Sequence, residues 1–186
     1  MTQLLTLTAG TEVDCVDGSC GQVDRALVDP ARRVLRHLAV EGPGEETGRL
    51  VPFDRVESVA AHIKLDCSRA EYEAFESAAV AHQVPNLSGA ALGGSIARTV
   101  LDHTVPAGEV EVRDGEDVRA DNGRLGRLRG IVVDGDDGRI QRILVTVGHL
   151  FNKREVSLPA SMVANFDDER VRLAGSKSQL MKRIPV

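Results

Sequence analysis

The sequence predicts a mainly β protein: two tandem copies of one small five-stranded β-barrel, each followed by a short helix. Three observations carry this expectation. The 186-residue chain repeats its apolar and turn residues at an offset of 105 positions. Asp-Gly and Asn-Gly pairs fall at matching places, and tight hairpin turns favour such residues because they tolerate positive φ. Each copy also closes on the spacing of a helix capping box.

The repeat sets the register of the two copies. Val13 meets Val118, Gly18 meets Gly123, Gly21 meets Gly126, Val28-Asp29 meets Val133-Asp134, and Val40 meets Val145. Apolar class follows the same register: Cys20 with Leu125, Val23 with Leu128, Leu27 with Val132, Leu35 with Ile140, Leu38 with Ile143. The offset then grows to 107, matching Pro52 with Pro159 and Val56 with Val163, and to 108 for Leu65 with Leu173. Small loop insertions account for the drift. Self-similarity at one fixed spacing is the mark of a duplicated structural unit.

Each copy opens with a hairpin turning at Asp17-Gly18 or Asn122-Gly123. Its second strand is expected over 22–29 or 124–134, and its third over 34–41 or 139–147, where alternating apolar and charged residues suit one buried and one wet face. Proline has no N–H to give a ladder, so Pro52 and Pro159 close the fourth strand and start a bend. Residues 63–65 and 171–173 make a short fifth strand. Ser68 stands three residues before Glu71, and Ser176 three before Gln179, which predicts helices over 69–78 and 177–183. Domains are thus expected at 1–78 and 109–186. The linker between them, 79–108, mixes turn signals such as Pro85-Asn86 and Gly93-Gly94-Ser95 with an apolar piece, Ile96–Leu101, and is expected to be partly helical and partly packed. The two barrels are expected to meet as a pseudo-twofold pair through unclosed edges.

Composition excludes several function classes. Aromatic residues are 3% of the chain and tryptophan is absent, so stacking platforms for single-stranded nucleic acid are scarce. The net charge of −5 opposes nonspecific attraction to phosphate backbones or anionic lipid. Its distribution is uneven: residues 1–67 hold 7 basic and 11 acidic side chains, whereas residues 107–186 hold 14 and 13. Only the second copy can form a basic patch. No run approaches the roughly 18 apolar residues of a membrane span, and the first residues lack the features of an export signal. The expected location is therefore the cytoplasm, with Cys15, Cys20 and Cys67 as reduced core thiols.

At these residues the chain resembles the PRC-barrel family, the module found in the photosynthetic reaction-centre H subunit and in the ribosome-maturation factor RimM. The resemblance rests on 23–29, 38–40 and 50–56 of the first copy. In the second it rests on Leu125-Gly126, 131–134, and His149–Val156 running into Leu158-Pro159. It implies small β-barrels with interaction and assembly roles, and no family-wide catalytic set.

The residues themselves carry little chemistry. The Cys-x₄-Cys spacing of Cys15 and Cys20, with His37 or His62 as further ligands, could suit zinc, but the second copy has no equivalent cysteines. Five scattered histidines show no i, i+4 pairing, and the Gly-rich run 87–95 lacks a P-loop ending. Asp29 and Asp134 are read as turn residues accepting backbone N–H bonds. No catalytic residue, metal or cofactor is assigned. The binding candidates are the arginine face, Arg127, Arg129, Arg139 and Arg142, and the loop that carries His149, Phe151, Lys153 and Arg154. The expected function is non-enzymatic: a protein-interaction or assembly module, with a homodimer as one form. The alternative is an RNA- or ribosome-associated factor that uses the arginine face.

Overall fold

The computed structural model describes residues 4–44, 47–59, 62–85, 97–148, 153–167 and 170–183. The first half contains β1 (Leu4–Thr8), β2 (Glu12–Cys15), β3 (Gly18–Asp29), β4 (Val34–Glu41), β5 (Arg49–Pro52), β6 (Val56–Val59), β7 (Ile63–Leu65) and helix α1 (Arg69–Glu73). Two strands follow, β8 (Ala79–Pro85) and β9 (Ala97–His103). The second half repeats the series as β10 (Val110–Arg113), β11 (Asp117–Ala120), β12 (Gly123–Asp134), β13 (Ile140–Val147), β14 (Arg154–Pro159), β15 (Val163–Asp167), β16 (Arg170–Leu173) and α2 (Lys177–Arg183).

These strands form two mixed seven-stranded sheets and one two-stranded ribbon. The first sheet runs β5-β4-β3-β2-β7-β6, and the second runs β14-β13-β12-β11-β16-β15. In each, the outermost strands are neighbours in the chain, joined across a 3₁₀ turn at Phe53–Arg55 or Ala160–Met162. So short a connection curls each sheet until its edges approach. Among the described residues no ladder joins those edges, and neither sheet is closed into the expected barrel. Pro52 and Pro159 end β5 and β14 at that corner and offer no N–H to bridge the gap.

The seventh strand of each sheet comes from the other half. The short β2 pairs only with residues 18–22 of β3 and leaves the C-terminal part of that edge open. β10 fills it, pairing Val110 with Val28 and Arg113 with Arg25. Reciprocally, β1 lies on β12, with Leu5 opposite Val133 and Thr8 opposite Gly130. Each β10–β3 pair is related to a β1–β12 pair by the sequence offset of 105, so the exchange obeys the pseudo-twofold. Open strand edges leave backbone donors and acceptors unpaired, and the exchanged strands satisfy them. Leu5, Leu7 and Val112 point inward, joining both halves into one continuous buried core that extends from β1 to Leu180 of α2.

Local chemistry matches the sequence at many points. Asp29 Oδ1 accepts from the N–H groups of Ala31 and Arg32, and Asp134 Oδ1 accepts from Asp136 N, which fixes both as turn residues. Ser68 and Glu71 form a complete capping box, and Ser176 and Gln179 bond in the same reciprocal way. The hairpin residues also dock each helix start, where Asp17 Oδ1 accepts from Arg69 N at 2.8 Å and Asn122 Oδ1 from Lys177 N at 2.9 Å. Gly21 and Gly126 are required by close packing, since a Cβ there would lie 2.0 Å from Glu41 O or 2.2 Å from Thr146 O.

Three further expectations are corrected. The described part of the linker is extended: β8 and β9 pair antiparallel from Ala79–His103 to Pro85–Ala97, and no helix lies there. The β-branched Val80, Val84, Thr99 and Val100 favour extended backbone, which suits a ribbon. Helix α1 stops at Glu73, because residues 76–78 bond instead to the backbone of 48–50 at the edge of β5. Finally, Cys15 and Cys20 are joined as a disulfide across the first hairpin, with Cα atoms 5.9 Å apart, and only Cys67 is a free thiol. Spacing alone does not reveal that a two-residue turn brings these side chains onto one face.

Candidate functional site

An open basin of about 1300 Å³ lies in the second half. Its basic side chains are Arg124, Arg127 and Arg129 of β12, Lys153 and Arg154 at the start of β14, and Lys177 of α2. Asp114 is the one carboxylate in its described lining. Gly115, Gly126 and Gly148 also line the basin, together with Leu125, Thr146, Val147 and Met181, and Gly126 lets the Thr146 carbonyl come close.

Strand register decides which arginines arrive. Arg127 lies opposite Thr146, whereas Arg129 falls in a bulge between the Leu128–Val145 and Gly130–Leu144 pairs. A bulge re-aims its extra residue, and Arg129 thereby reaches Asp114, with Nη1 2.7 and 2.6 Å from the two carboxylate oxygens. Arg124 Nε lies 3.0 Å from Asp117. Arg127, Lys153 and Arg154 are exposed and have no carboxylate partner among the described residues. They leave cationic groups directed at solvent in a concave setting, where fields from like charges add.

The expected arginine face therefore divides. Arg127 and Arg129 line the basin together with Lys153 and Arg154. Arg139 stands instead at a hairpin tip, bridged to Val34 of the first half and paired with Asp137. Arg142 lies on β13 opposite Val132, away from the basin lining. His149 and Phe151 lie outside the described residues. No sequence pattern marks Lys177, which enters the site only through the docking of α2 on Asn122.

The corresponding concavity of the first half, about 540 Å³, is of opposite character. Glu12, Asp24 and Glu41 line it, with no basic side chain among its described residues. Between the two basins runs a narrow seam lined by 7–9 and 23–26 of the first half and 112–114 and 128–131 of the second. Arg25, 3% exposed, is buried there. Its Nη1 lies 2.5 Å from Asp24, its Nε 2.8 Å from Glu111, and its Nη2 donates to Ala78 O at 2.5 Å. This buried cation ties β3, β10 and the base of the ribbon together.

The remaining candidates lie outside the basin lining. His37 Nδ1 contacts Glu109 at 2.9 Å, and His62 Nδ1 contacts Glu12 and Asp14 at 3.1 and 3.2 Å. Among the described residues, no group of three or more His, Cys, Asp or Glu is arranged to hold a metal ion. Burial, with the Asp66 and Glu71 carboxylates adding, pushes the Cys67 thiol up, which makes it a poor nucleophile. No helix among the described residues is long and apolar enough to cross a membrane. Comparison with known proteins finds no match, either among family models or among curated proteins.

Proposed function

We propose that this chain is a non-enzymatic interaction module made of two strand-exchanged, PRC-type units, and that its basic basin receives an acidic segment of a protein. One observation carries the reading: six basic side chains line one concavity in a molecule whose net charge is −5. Fixed cations in a concave site favour carboxylate-rich partners through charge-assisted bonds, with arginine suited to bidentate contacts. Protein is favoured over RNA because the described lining contains no aromatic side chain on which a base could stack. The acidic remainder also repels a long phosphate backbone.

The test is titration of the full chain with a fluorescent oligoglutamate peptide and, separately, with single-stranded RNA at several salt concentrations. The expected result is peptide binding that weakens with salt and falls about tenfold in Arg127→Glu. RNA binding tighter than peptide binding, with a steep salt slope, transfers the site to the RNA-associated alternative.

A further inference from the structure

We infer that the occupant of the basic basin is the acidic basin of a second copy of this chain, in a closed face-to-face dimer. The inference rests on the interaction reading above and names its partner.

The two basins are the same place in the two halves, yet their charges are inverted. Gln22 pairs with Glu41 in the lining of one, and Arg127 pairs with Thr146 at the equivalent register of the other. Asp24 is the bulged residue of β3, skipped between Val23–Val40 and Arg25–Ala39, and Arg129 is the bulged residue of β12. Ser19 corresponds to Arg124 by the same offset. A common backbone thus presents carboxylates on one side and guanidinium groups on the other. Charge opposition makes the two basins electrostatically complementary.

Their placement makes mutual occupation feasible. Ala9, Val23 and Asp24 line both the acidic basin and the seam, and Asp114 and Arg129 line both the seam and the basic basin. Acidic basin, seam and basic basin are therefore contiguous, with the less buried Ala9, Asp24, Asp114 and Arg129 at the two junctions. The seam is lined by residues paired through the repeat, Leu7 with Val112 and Val23 with Leu128, so it lies on the pseudo-twofold with one basin on either side. A second copy turned over this face lays its acidic basin on the first copy's basic one. The turn is a twofold about an axis in the face, perpendicular to the line joining the basins. The reciprocal contact forms at the same time. Both charged surfaces are then used, and association stops at two rather than growing into a fibre.

Sedimentation of the full chain at low and high salt, with Arg127→Glu, Glu41→Arg and their equimolar mixture, tests this. The wild type is expected to be a dimer at low salt and to dissociate as salt rises. Each single variant, folded by circular dichroism, is expected to dimerise at least about tenfold more weakly. Their mixture is expected to recover a one-to-one dimer, because reversed charge then meets reversed charge on one side and native meets native on the other. A wild type that stays monomeric at low salt yet binds oligoglutamate overturns self-pairing and leaves the interaction reading standing. A monomer that binds no peptide overturns both. A dimer indifferent to both variants places the contact elsewhere and overturns this inference.

Discussion

Arg33 and Gly138 occupy one position in the two halves, the left-handed residue that turns β3 into β4 and β12 into β13, with φ of 56° and 69°. Across the pseudo-twofold, Leu35 N donates to Gly138 O and Ile140 N donates to Arg33 O, both at 2.9 Å. The two hairpin tips thus hold each other. Their surroundings differ in volume: the Phe53 ring crowds Gly138, whereas the smaller Ala160 accepts a bond from Arg33 Nη1 at 3.3 Å.

That difference predicts an asymmetry between equivalent substitutions. Gly138→Ala places a Cβ 2.8 Å from a Phe53 ring carbon in a left-handed backbone, and should lower stability by about 1–3 kcal/mol. Arg33→Gly relieves the left-handed cost and should change stability by no more than about 1 kcal/mol. Chemical denaturation of the two variants measures both.

Strand exchange predicts that neither half is complete alone. Residues 1–108 and 109–186, produced separately, each leave an edge of β3 or β12 open and should be unstable as monomers. Mixing them should restore the native circular dichroism and a one-to-one complex by size-exclusion chromatography. In the intact chain, Leu5→Ala should cost about 2–5 kcal/mol although it lies at the start of the sequence, since its side chain is 3% exposed. Two independently folded halves, unaffected by truncation of β1, are the outcome that contradicts this topology.

Arg25 is expected to behave as a buried ion-pair partner. Arg25→Ala leaves Asp24 and the Ala78 carbonyl without their cation, and should cost about 3–5 kcal/mol in denaturant. Its first visible effect should be faster amide exchange at the base of the β8–β9 ribbon.

The thiols are expected to differ sharply. After oxidation, alkylation of the unfolded, unreduced chain should label Cys67 alone, and reduction should expose Cys15 and Cys20 as well. In the folded chain Cys67 should react slowly even at mildly alkaline pH, because its thiol is buried and held above its ordinary value.

Acid should loosen the start of α1. The Ser68 N–H and hydroxyl hold the Glu71 carboxyl below its ordinary value. A carboxyl lowered by folding contributes stability above its unfolded value and loses it as pH falls through the folded one. Protection of the Ser68 amide, taken relative to its intrinsic exchange rate, should therefore fall in that acid range. In Glu71→Gln, which retains an acceptor but cannot titrate, this dependence should disappear.

Duplication, turns, bend prolines and both capping boxes are legible in the amino-acid order. Those features depend on backbone preferences within a few residues, so Asp17-Gly18, Pro52 and Ser68 announce them wherever the chain folds. Leu5 and Leu7 match Val110 and Val112 at the same offset, yet the five strands expected in each copy do not include them, and β1 and β10 are additions that the structure makes. What no local pattern states is which sheet they join. That choice belongs to the open edges of β3 and β12, which exist only once the sheets have formed. The basin is a tertiary product for the same reason. Arg127 and Arg129 are neighbours in sequence, but a bulge aims Arg129, helix docking supplies Lys177, and Arg139 is carried off to the pseudo-twofold by the turn at Gly138. Local preferences specify the pieces; long-range pairing of backbone edges decides which charges share a surface.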